Sequence, residues 1–342
     1  MLAAALIAGP ASAVVLDVDR DPVAALLPDS AAGPFAGVGT VSSAGFSCTG
    51  TAVGARLVLT AAHCLGDGDD SVRFRLPYGD AEPVEREGRA TLHPDYAPGV
   101  APFEQRRSPD VAVIEFDEPL PDTVPRASLP TGDASTLGTP FELVGYGESG
   151  TGETGSTSDT EPGKRFALNV VDQEPGHRGR FSADFDPPGA ESLGHLEGTS
   201  GYGDSGGPAF AKADLVAAFA DADGGPVEYM PVSGQRLLIG VVSYMSLPRD
   251  GQPFGTYGGS ATWTALAAVA GWVAGFGADV ALVPFADTCD LVGCAFVDGT
   301  GSGTAVPAAA PVPLAPPAAF LVAGLGALIA LGRRRRRTRD VR

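Results

Sequence analysis

A single serine is flanked by glycines in the segment Gly203-Asp204-Ser205-Gly206-Gly207-Pro208. Because glycine has no Cβ atom, the backbone around Ser205 can bend sharply and a reacting carbonyl group can approach main-chain N–H groups. A serine hydroxyl is a weak nucleophile until a neighbouring base activates it. The segment therefore indicates catalysis only if the rest of the chain supplies that base.

Two upstream segments supply a base and an acid. A histidine follows an apolar run in Leu59-Thr60-Ala61-Ala62-His63-Cys64, and an acid precedes another run in Asp110-Val111-Ala112-Val113-Ile114. Since a buried carboxylate is costly unless it is paired, we expect Asp110 to bind a partner such as an imidazole N–H. Each residue alone is more typical of a turn, a cap or a structural position. The joint pattern of His63, Asp110 and Ser205 indicates nucleophilic catalysis.

The three segments resemble those of the trypsin/chymotrypsin-like (S1 family) serine proteases, in which they occur in the order His, Asp, Ser. The resemblance extends from about Val38 to Phe276. It implies that Ser205 is the nucleophile, that His63 is the general base and that Asp110 orients His63. It also implies an oxyanion hole formed by the backbone N–H groups of Gly203 and Ser205. No cofactor and no metal are implied.

The resemblance also locates a substrate pocket. Its residues are Thr199, Ser243, Tyr244, Met245 and Gly255. The pocket floor, Thr199, is neutral, so we do not expect a preference for Arg or Lys at the P1 position of the substrate. Met245 is expected to narrow the entrance. The sequence thus predicts a small or medium uncharged P1 residue.

The Asp that precedes the nucleophile has a further role in the family that the chain resembles. In its zymogens a newly cut amino terminus, often Ile-Val-Gly-Gly, inserts and pairs with that Asp. No such motif precedes Val41, where the chain reads Gly33-Pro34-Phe35-Ala36-Gly37-Val38. We therefore expect Asp204 to have another partner, and we do not expect activation by cleavage of a propeptide.

Short apolar runs that are separated by turn residues predict an all-β fold, in keeping with 47 Gly and 30 Pro. With the resemblance, the prediction is two packed six-stranded antiparallel β-barrels that divide near 125–139. A C-terminal helix is predicted from Thr262 to Phe276. Two long segments, Glu148 to Lys164 and Ala211 to Gln235, are predicted to be surface loops.

Five regions follow along the chain. They are a secretory signal at 1–13 (without the usual basic region, which a start further upstream would supply), an N-terminal segment at 14–37, the protease domain at 38–276, an extension at 277–305 and a sorting or anchor tail at 306–342. The signal is predicted from its apolar core and its Ala-x-Ala end, with cleavage after Ala13. A buried N-terminal strand or helix is the alternative.

The tail has three parts in order: a Pro/Ala-rich spacer (306–317), an uncharged apolar run (318–332) and five arginines (333–337). It resembles the PEP-CTERM class of bacterial sorting signals in its VPLPA variant, here Val312-Pro313-Leu314-Ala315-Pro316. That resemblance implies processing by an exosortase-type enzyme and contact with the membrane through the tail only. A plain membrane anchor is the alternative, and both place the body outside the cytoplasm.

Four cysteines in an exported chain predict two disulfides. Of three possible pairings, the most local joins Cys48 to Cys64 and Cys289 to Cys294. The acidic triplet Asp67, Asp69 and Asp70 could bind calcium but is better interpreted as a solvated loop.

The net charge is −18, and the last ten residues carry +6, so the remainder carries −24. This balance argues against binding of nucleic acid. The sequence therefore predicts an exported serine endopeptidase, secreted or associated with the cell envelope, that acts on proteins or peptides. Two alternatives remain: a catalytically silent protease-like module that binds protein at the cell surface, and an esterase that uses the same triad.

Overall fold

The structure is a computed structural model that describes residues 14–17, 26–27, 29–43, 45–65, 71–79, 81–97, 108–132, 136–158, 163–174, 179–189, 192–212, 236–247 and 251–285. The predicted signal, the acidic triplet, the Cys289–Cys294 pair and the C-terminal tail lie outside the described residues. Most of the predicted loop at 211–235 lies outside them as well.

The described residues form mainly β-strands. In chain order these are β1 (Val15–Leu16), β2 (Val38–Ser43), β3 (Phe46–Gly54), β4 (Leu57–Thr60), β5 (Val72–Leu76), β6 (Val84–Leu92), β7 (Ala112–Phe116), β8 (Leu129–Thr131), β9 (Pro140–Gly145), β10 (Ser149–Thr151), β11 (Gly155–Thr157), β12 (Arg165–Val170), β13 (Arg180–Asp184), β14 (Gly198–Thr199), β15 (Pro208–Ala211), β16 (Leu238–Ser246), β17 (Ser260–Ala265) and β18 (Leu282–Pro284). Short 3-10 turns lie at Ala62–Cys64, Gly194–Leu196 and Leu266–Ala268, and the α-helix α1 spans Ala270–Ala274.

The first lobe is a closed antiparallel barrel in the order β2-β3-β4-β7-β6-β5. Strand β5 shows the period of two that a barrel wall requires, since Val72, Phe74 and Leu76 are fully buried while Arg73 and Arg75 are exposed. Pairing of β5 with β2 closes the barrel, so no strand edge is left open. The predicted six-stranded barrel is confirmed for this lobe.

The second lobe has six antiparallel strands in the order β12-β9-β15-β16-β17-β13, but it is a half-barrel. Its edge strands, β12 and β13, are not joined by a ladder. They are linked by a backbone bridge between Gln173, after β12, and Ser182 of β13, and by the side chain of Asn169. The Asn169 amide of β12 donates to the Asp184 carbonyl of β13 at 2.7 Å and to the Gly198 carbonyl at 3.0 Å. The predicted trypsin-like all-β fold is thus confirmed, with the second barrel open.

A third, smaller sheet has the order β11-β10-β1-β14. The strand β1 pairs in parallel with β10 and in antiparallel with β14, which contains Thr199. The prediction of a loop at Glu148 to Lys164 is therefore wrong for its first part, because β10 and β11 form a hairpin there.

The helix predicted from Thr262 to Phe276 is also wrong in its first half. Those residues begin within β17, where Thr262, Trp263 and Thr264 pair with β16 and β13. β-Branched and aromatic side chains favour a strand that is buried between two neighbours. The helix α1 has only five residues, and within the described ranges no helix has the length and apolar character needed to span a membrane.

Glu197, which directly precedes β14, is a buried acid that affects the stability of the fold. Its side chain is 2% exposed and accepts hydrogen bonds from the backbone N–H groups of Asp186 at 2.8 Å and Leu193 at 2.6 Å. Burial outweighs these hydrogen bonds and raises the pKa of Glu197 from 4.5 to about 7. The folded protein therefore binds a proton here that the unfolded chain releases at lower pH.

We predict that Glu197→Gln flattens the decline of stability with pH. Between pH 4.5 and 7 the folded state holds more protons than the unfolded state, so the free energy of unfolding of the parent falls as pH rises, by at most roughly 3 kcal/mol. Urea denaturation at several pH values measures the slope for the parent, for Glu197→Gln and for the exposed-site control Glu82→Gln. Equal slopes in all three proteins would contradict the prediction.

Candidate active site

The first barrel presents His63 and Asp110 side by side. His63 lies in the 3-10 turn after β4, and Asp110 lies two residues before β7, which pairs with β4. The backbone N–H of His63 donates to Asp110 Oδ1 at 3.0 Å, and the imidazole Nδ1 lies 2.7 Å from Asp110 Oδ2. Because an ionised carboxylate only accepts hydrogen bonds, Nδ1 carries the proton and Nε2 is left as an acceptor.

The second lobe brings Ser205 to that acceptor. Ser205 lies in the loop between β14 and β15, and its Oγ is 2.8 Å from His63 Nε2. The loop needs glycine on both sides of the serine, since Gly203 has φ +92° and Gly206 has φ +80°. A Cβ atom at Gly206 would lie 2.2 Å from Thr60 Oγ1. The structure thus places the three predicted catalytic residues in one hydrogen-bonded chain.

Asp110 is held from the second lobe as well. The Ser243 hydroxyl of β16 donates to Asp110 Oδ2 at 2.7 Å, and the Thr264 hydroxyl of β17 donates to the Asp110 carbonyl at 3.1 Å. Burial, which leaves Asp110 6% exposed, favours the neutral acid, but hydrogen bonds and the charge interaction with His63, together with Ser243, outweigh it and lower the pKa of Asp110. The carboxylate therefore stays ionised beside the imidazole.

The two predicted oxyanion donors are the amides of Gly203 and Ser205. Among the described residues, neither amide donates to a protein acceptor. The Gly203 carbonyl, on the other side of the peptide unit, accepts from the Thr49 hydroxyl of β3 at 3.1 Å, and the Ser205 carbonyl accepts from the Thr49 N–H at 2.8 Å. Thr49 thus holds the carbonyl groups of Gly203 and Ser205. The amides of the same two residues remain available to an oxygen atom of a substrate.

The five predicted pocket residues fall into two groups, one beside β1 and the other along β16. Thr199 is buried in β14 beside Val15 of β1. Gly255 has φ +80°, and a Cβ atom there would lie 2.8 Å from Val15 Cγ2. Thr199 and Gly255 therefore both border β1. Ser243 was also predicted as a pocket residue, but its hydroxyl donates a hydrogen bond to the Asp110 carboxylate.

The other two pocket residues lie further along β16. Tyr244 and Met245 are half-buried, and Met245 packs against the core of the second lobe. The Arg180 guanidinium lies over the Tyr244 ring at 5.3 Å and donates to the carbonyl of Ser108 at 2.7 Å. Arg180 of β13 therefore ties the strand of Tyr244 to the segment that leads into Asp110.

Asp204, next to Ser205, is held by three backbone N–H groups. Asp204 accepts a hydrogen bond from the backbone N–H of Val14, in the amino-terminal segment, at 3.0 Å. It also accepts from the N–H groups of Gly201 at 2.7 Å and Gly147 at 2.8 Å. Asp204 thus has a partner in the amino-terminal segment, where the chain has no Ile-Val-Gly-Gly motif.

A disulfide joins Cys48 of β3 to Cys64, next to His63, as the most local pairing predicts. The imidazole and the two sulfur atoms lie within 4.8 Å of one another. Both sulfurs are bonded to each other, so they offer no thiolate to a metal ion. The bond instead anchors the turn that holds His63.

Sequence reasoning missed Val14, Thr49 and Arg180. Thr49 and Arg180 act through contacts with residues far along the chain, so no local pattern marks them. Val14 had one available signal, since it directly follows the predicted cleavage site at Ala13.

We predict that Ser243→Ala lowers kcat about tenfold and leaves KM nearly unchanged. The lost hydroxyl stabilises the Asp110 carboxylate, and a hydrogen bond to a charged group contributes about 1.5 kcal/mol or more. Steady-state kinetics on a peptide substrate measure the effect, with Ser246→Ala on the exposed end of β16 as the control. A change confined to KM would instead assign Ser243 to the substrate pocket.

Residues 28–257 match the family model described as Trypsin. No protein of curated function matches the sequence. Among solved structures, the chain is similar to neuropsin, a serine protease expressed in the limbic system of mouse brain, with 20% identity and a TM-score of 0.50 over 74% of this chain and 97% of neuropsin. That likeness shows the fold alone. Because the family model spans more than half of the chain, the protein belongs to the trypsin family of serine endopeptidases.

Proposed function

We propose that this protein is an exported serine endopeptidase that uses Ser205, His63 and Asp110 as its catalytic triad. The observation that carries the proposal is the unbroken chain of contacts from Ser205 Oγ to His63 Nε2 at 2.8 Å and from His63 Nδ1 to Asp110 at 2.7 Å. The side chain of His63 is 37% exposed, so a substrate can reach the reacting end of this chain.

The first half of the reaction forms an acyl-enzyme. Ser205 Oγ attacks the carbonyl carbon of the scissile peptide bond while His63 Nε2 takes the hydroxyl proton. The negative oxygen of the tetrahedral intermediate is bound by the N–H groups of Gly203 and Ser205, each worth roughly 3 kcal/mol. His63 then gives its proton to the leaving amine, and the C–N bond breaks.

The second half releases the product by the same steps with water as the nucleophile. His63 takes a proton from water, the hydroxide attacks the ester carbon, and Ser205 recovers its proton as the ester bond breaks. Asp110 is a positioning residue in both halves. It holds the His63 tautomer and stabilises the imidazolium that forms at each step.

For the substrate, we propose an uncharged P1 residue of small or medium size. The family resemblance makes Thr199 the pocket floor, which carries no charge that could pair with Arg or Lys, and makes the half-buried Met245 of β16 a residue that narrows the entrance. Repulsion from a body with a net charge of −24 also disfavours acidic substrates, an effect that salt screens.

Export and sorting belong to the proposal as well. The Ala-x-Ala end at Ala13 supports removal of a leader, and the VPLPA-like tail at 306–342 supports processing by an exosortase-type enzyme with membrane contact through the tail. The disulfide at Cys48–Cys64 fits an oxidising compartment.

We predict that Ser205→Ala abolishes labelling by a fluorophosphonate probe and lowers kcat for peptide hydrolysis by about a million-fold. The full chain without its leader, Val14 to Arg342, is refolded under oxidising conditions beside this variant, and both are tested with a mixed peptide library and with small esters. A folded parent protein that is not labelled and that cleaves neither peptides nor esters would favour the protein-binding module. Ester cleavage without peptide cleavage would favour the esterase.

We predict that Met245→Gly widens the P1 pocket. The parent should prefer Ala or Val over Phe, and the variant should gain about tenfold or more in kcat/KM for Phe relative to Ala, which is typical of changes in apolar pocket volume. Leu137→Ala, an exposed change in the linker between the lobes, serves as the control. A parent that favours Arg or Lys would contradict the proposed specificity.

A further inference from the structure

The loop that carries the proposed nucleophile is held by hydrogen bonds at every carbonyl group. Four consecutive peptide units join residues 202 to 206, and each of their carbonyl groups accepts one hydrogen bond. The donors and acceptors, in chain order, are the Glu148 N–H and the Tyr202 carbonyl, the Thr49 hydroxyl and the Gly203 carbonyl, the Gly207 N–H and the Asp204 carbonyl, and the Thr49 N–H and the Ser205 carbonyl. The orientation of each peptide plane is therefore fixed at its carbonyl end.

The N–H groups of the same four peptide units divide into two pairs. Those of Asp204 and Gly206 donate to backbone carbonyl groups at 3.2 and 2.9 Å. Those of Gly203 and Ser205 have no protein acceptor within the part of the chain that the structure describes. The backbone of this loop is thus bound except at the two N–H groups proposed to receive a negative oxygen.

Of these six hydrogen bonds, one is made by a side chain, that of Thr49. Its hydroxyl donates to the Gly203 carbonyl at 3.1 Å, in the peptide plane that joins Gly203 to Asp204. This plane lies between the plane that carries the Gly203 N–H and the plane that carries the Ser205 N–H. Because Gly203 has no Cβ atom and a φ of +92°, the planes on its two sides rotate readily unless other groups hold them. The Thr49 hydroxyl therefore sets the angle between the two N–H groups.

The direction of the Thr49 hydroxyl is itself fixed. Thr49 is fully buried in β3, and its Oγ1 accepts the backbone N–H of Tyr146 at 3.2 Å. Since a hydroxyl group has a single proton, that proton is left for the Gly203 carbonyl. The Thr49 carbonyl accepts from the Thr60 hydroxyl of β4 at 2.9 Å. Two strands of the first barrel thus hold a loop that belongs to the second lobe.

We propose that Thr49 is a positioning residue for acyl transfer, because its hydroxyl fixes the 203–204 peptide plane so that the N–H groups of Gly203 and Ser205 converge on one oxygen atom. The inference rests on the proposed function, since it assumes that Ser205 attacks a carbonyl group and that these N–H groups bind the resulting negative oxygen. Such an arrangement acts mainly in the transition state, where the negative charge develops. Loss of the hydroxyl therefore lowers kcat and leaves KM nearly unchanged.

The test compares the chain from Val14 to Arg342 with three variants. Thr49→Val removes the hydroxyl and keeps the branched shape of the side chain, Thr49→Ser keeps the hydroxyl, and Thr51→Val is the matched control. Thr51 lies on the same strand and is similarly buried, but its hydroxyl has no hydrogen-bond partner among the described residues.

We expect Thr49→Val to lower kcat for a peptide substrate about tenfold or more, because the buried Gly203 carbonyl loses its donor and its peptide plane can rotate. Complete loss of one oxyanion donor, which costs roughly a hundred- to a thousandfold, is the upper limit. Thr49→Ser should recover most of the activity, and Thr51→Val should match the parent.

A pair of inhibitors separates positioning from a purely structural effect. When a peptidyl trifluoromethyl ketone with Val at P1 binds, Ser205 Oγ bonds to its carbonyl carbon, the serine proton passes to His63, and the carbonyl oxygen becomes the negative oxygen of a hemiketal. The matching trifluoromethyl alcohol cannot form this bond. Thr49→Val should weaken binding of the ketone by about the factor seen in kcat and leave binding of the alcohol unchanged.

Kinetic constants are referred to the number of sites that a fluorophosphonate probe labels at completion, so that a smaller folded fraction does not count as a lower kcat. If Thr49→Val does not fold, Thr49→Ala, which removes the same hydroxyl, is judged by the same criteria. An unchanged kcat, or equal weakening of the ketone and the alcohol, would overturn the inference and leave the proposed function in place. A folded parent that the probe does not label and that cleaves no peptide would contradict the proposed function, and the inference with it.

Discussion

The active site depends on the requirement that a buried carboxylate be paired. Asp110 lies on the first barrel, yet its carboxylate binds groups from both lobes, His63 from the first and Ser243 from the second, while Thr264 of the second lobe binds its backbone carbonyl. The hydrogen bonds that keep Asp110 ionised therefore also hold the lobes in register. Because Ser205 comes from the second lobe as well, the same contacts set its approach to His63.

A second buried carboxylate, Asp204, orders the loop on the other side of the nucleophile. Its three N–H donors come from the amino-terminal strand, the segment after β9 and the segment after β14. Asp204 is bonded directly to Ser205, so its position constrains the proposed nucleophile and the proposed oxyanion donor. In the proposed mechanism Asp110 therefore orients the base, and Asp204 positions the loop that carries the nucleophile.

The two lobes differ in how much of their architecture the sequence could predict. Alternation is clear in β5, where inward apolar residues and outward arginines follow one another. All six residues of β9 are buried, so this strand has no alternation to read. The opening between β12 and β13 could not be predicted, because scattered contacts take the place of a ladder: the Asn169 amide, and a backbone bridge between Gln173 and Ser182. The helix at 262–276 was overpredicted because an apolar run favours a helix and a buried strand alike.

The sequence alone predicted the proposed chemistry, because acyl transfer needs a nucleophile, a base and an orienting acid, and residues of these types occur as Ser205, His63 and Asp110. It also determined the local disulfide at Cys48–Cys64. Only the tertiary structure decided which groups satisfy the buried acids. Val14 and Asp204 are 190 residues apart, and Ser243 and Asp110 are 133 apart. Packing of whole strands brings such distant residues together, and no local sequence pattern predicts which of them will pair.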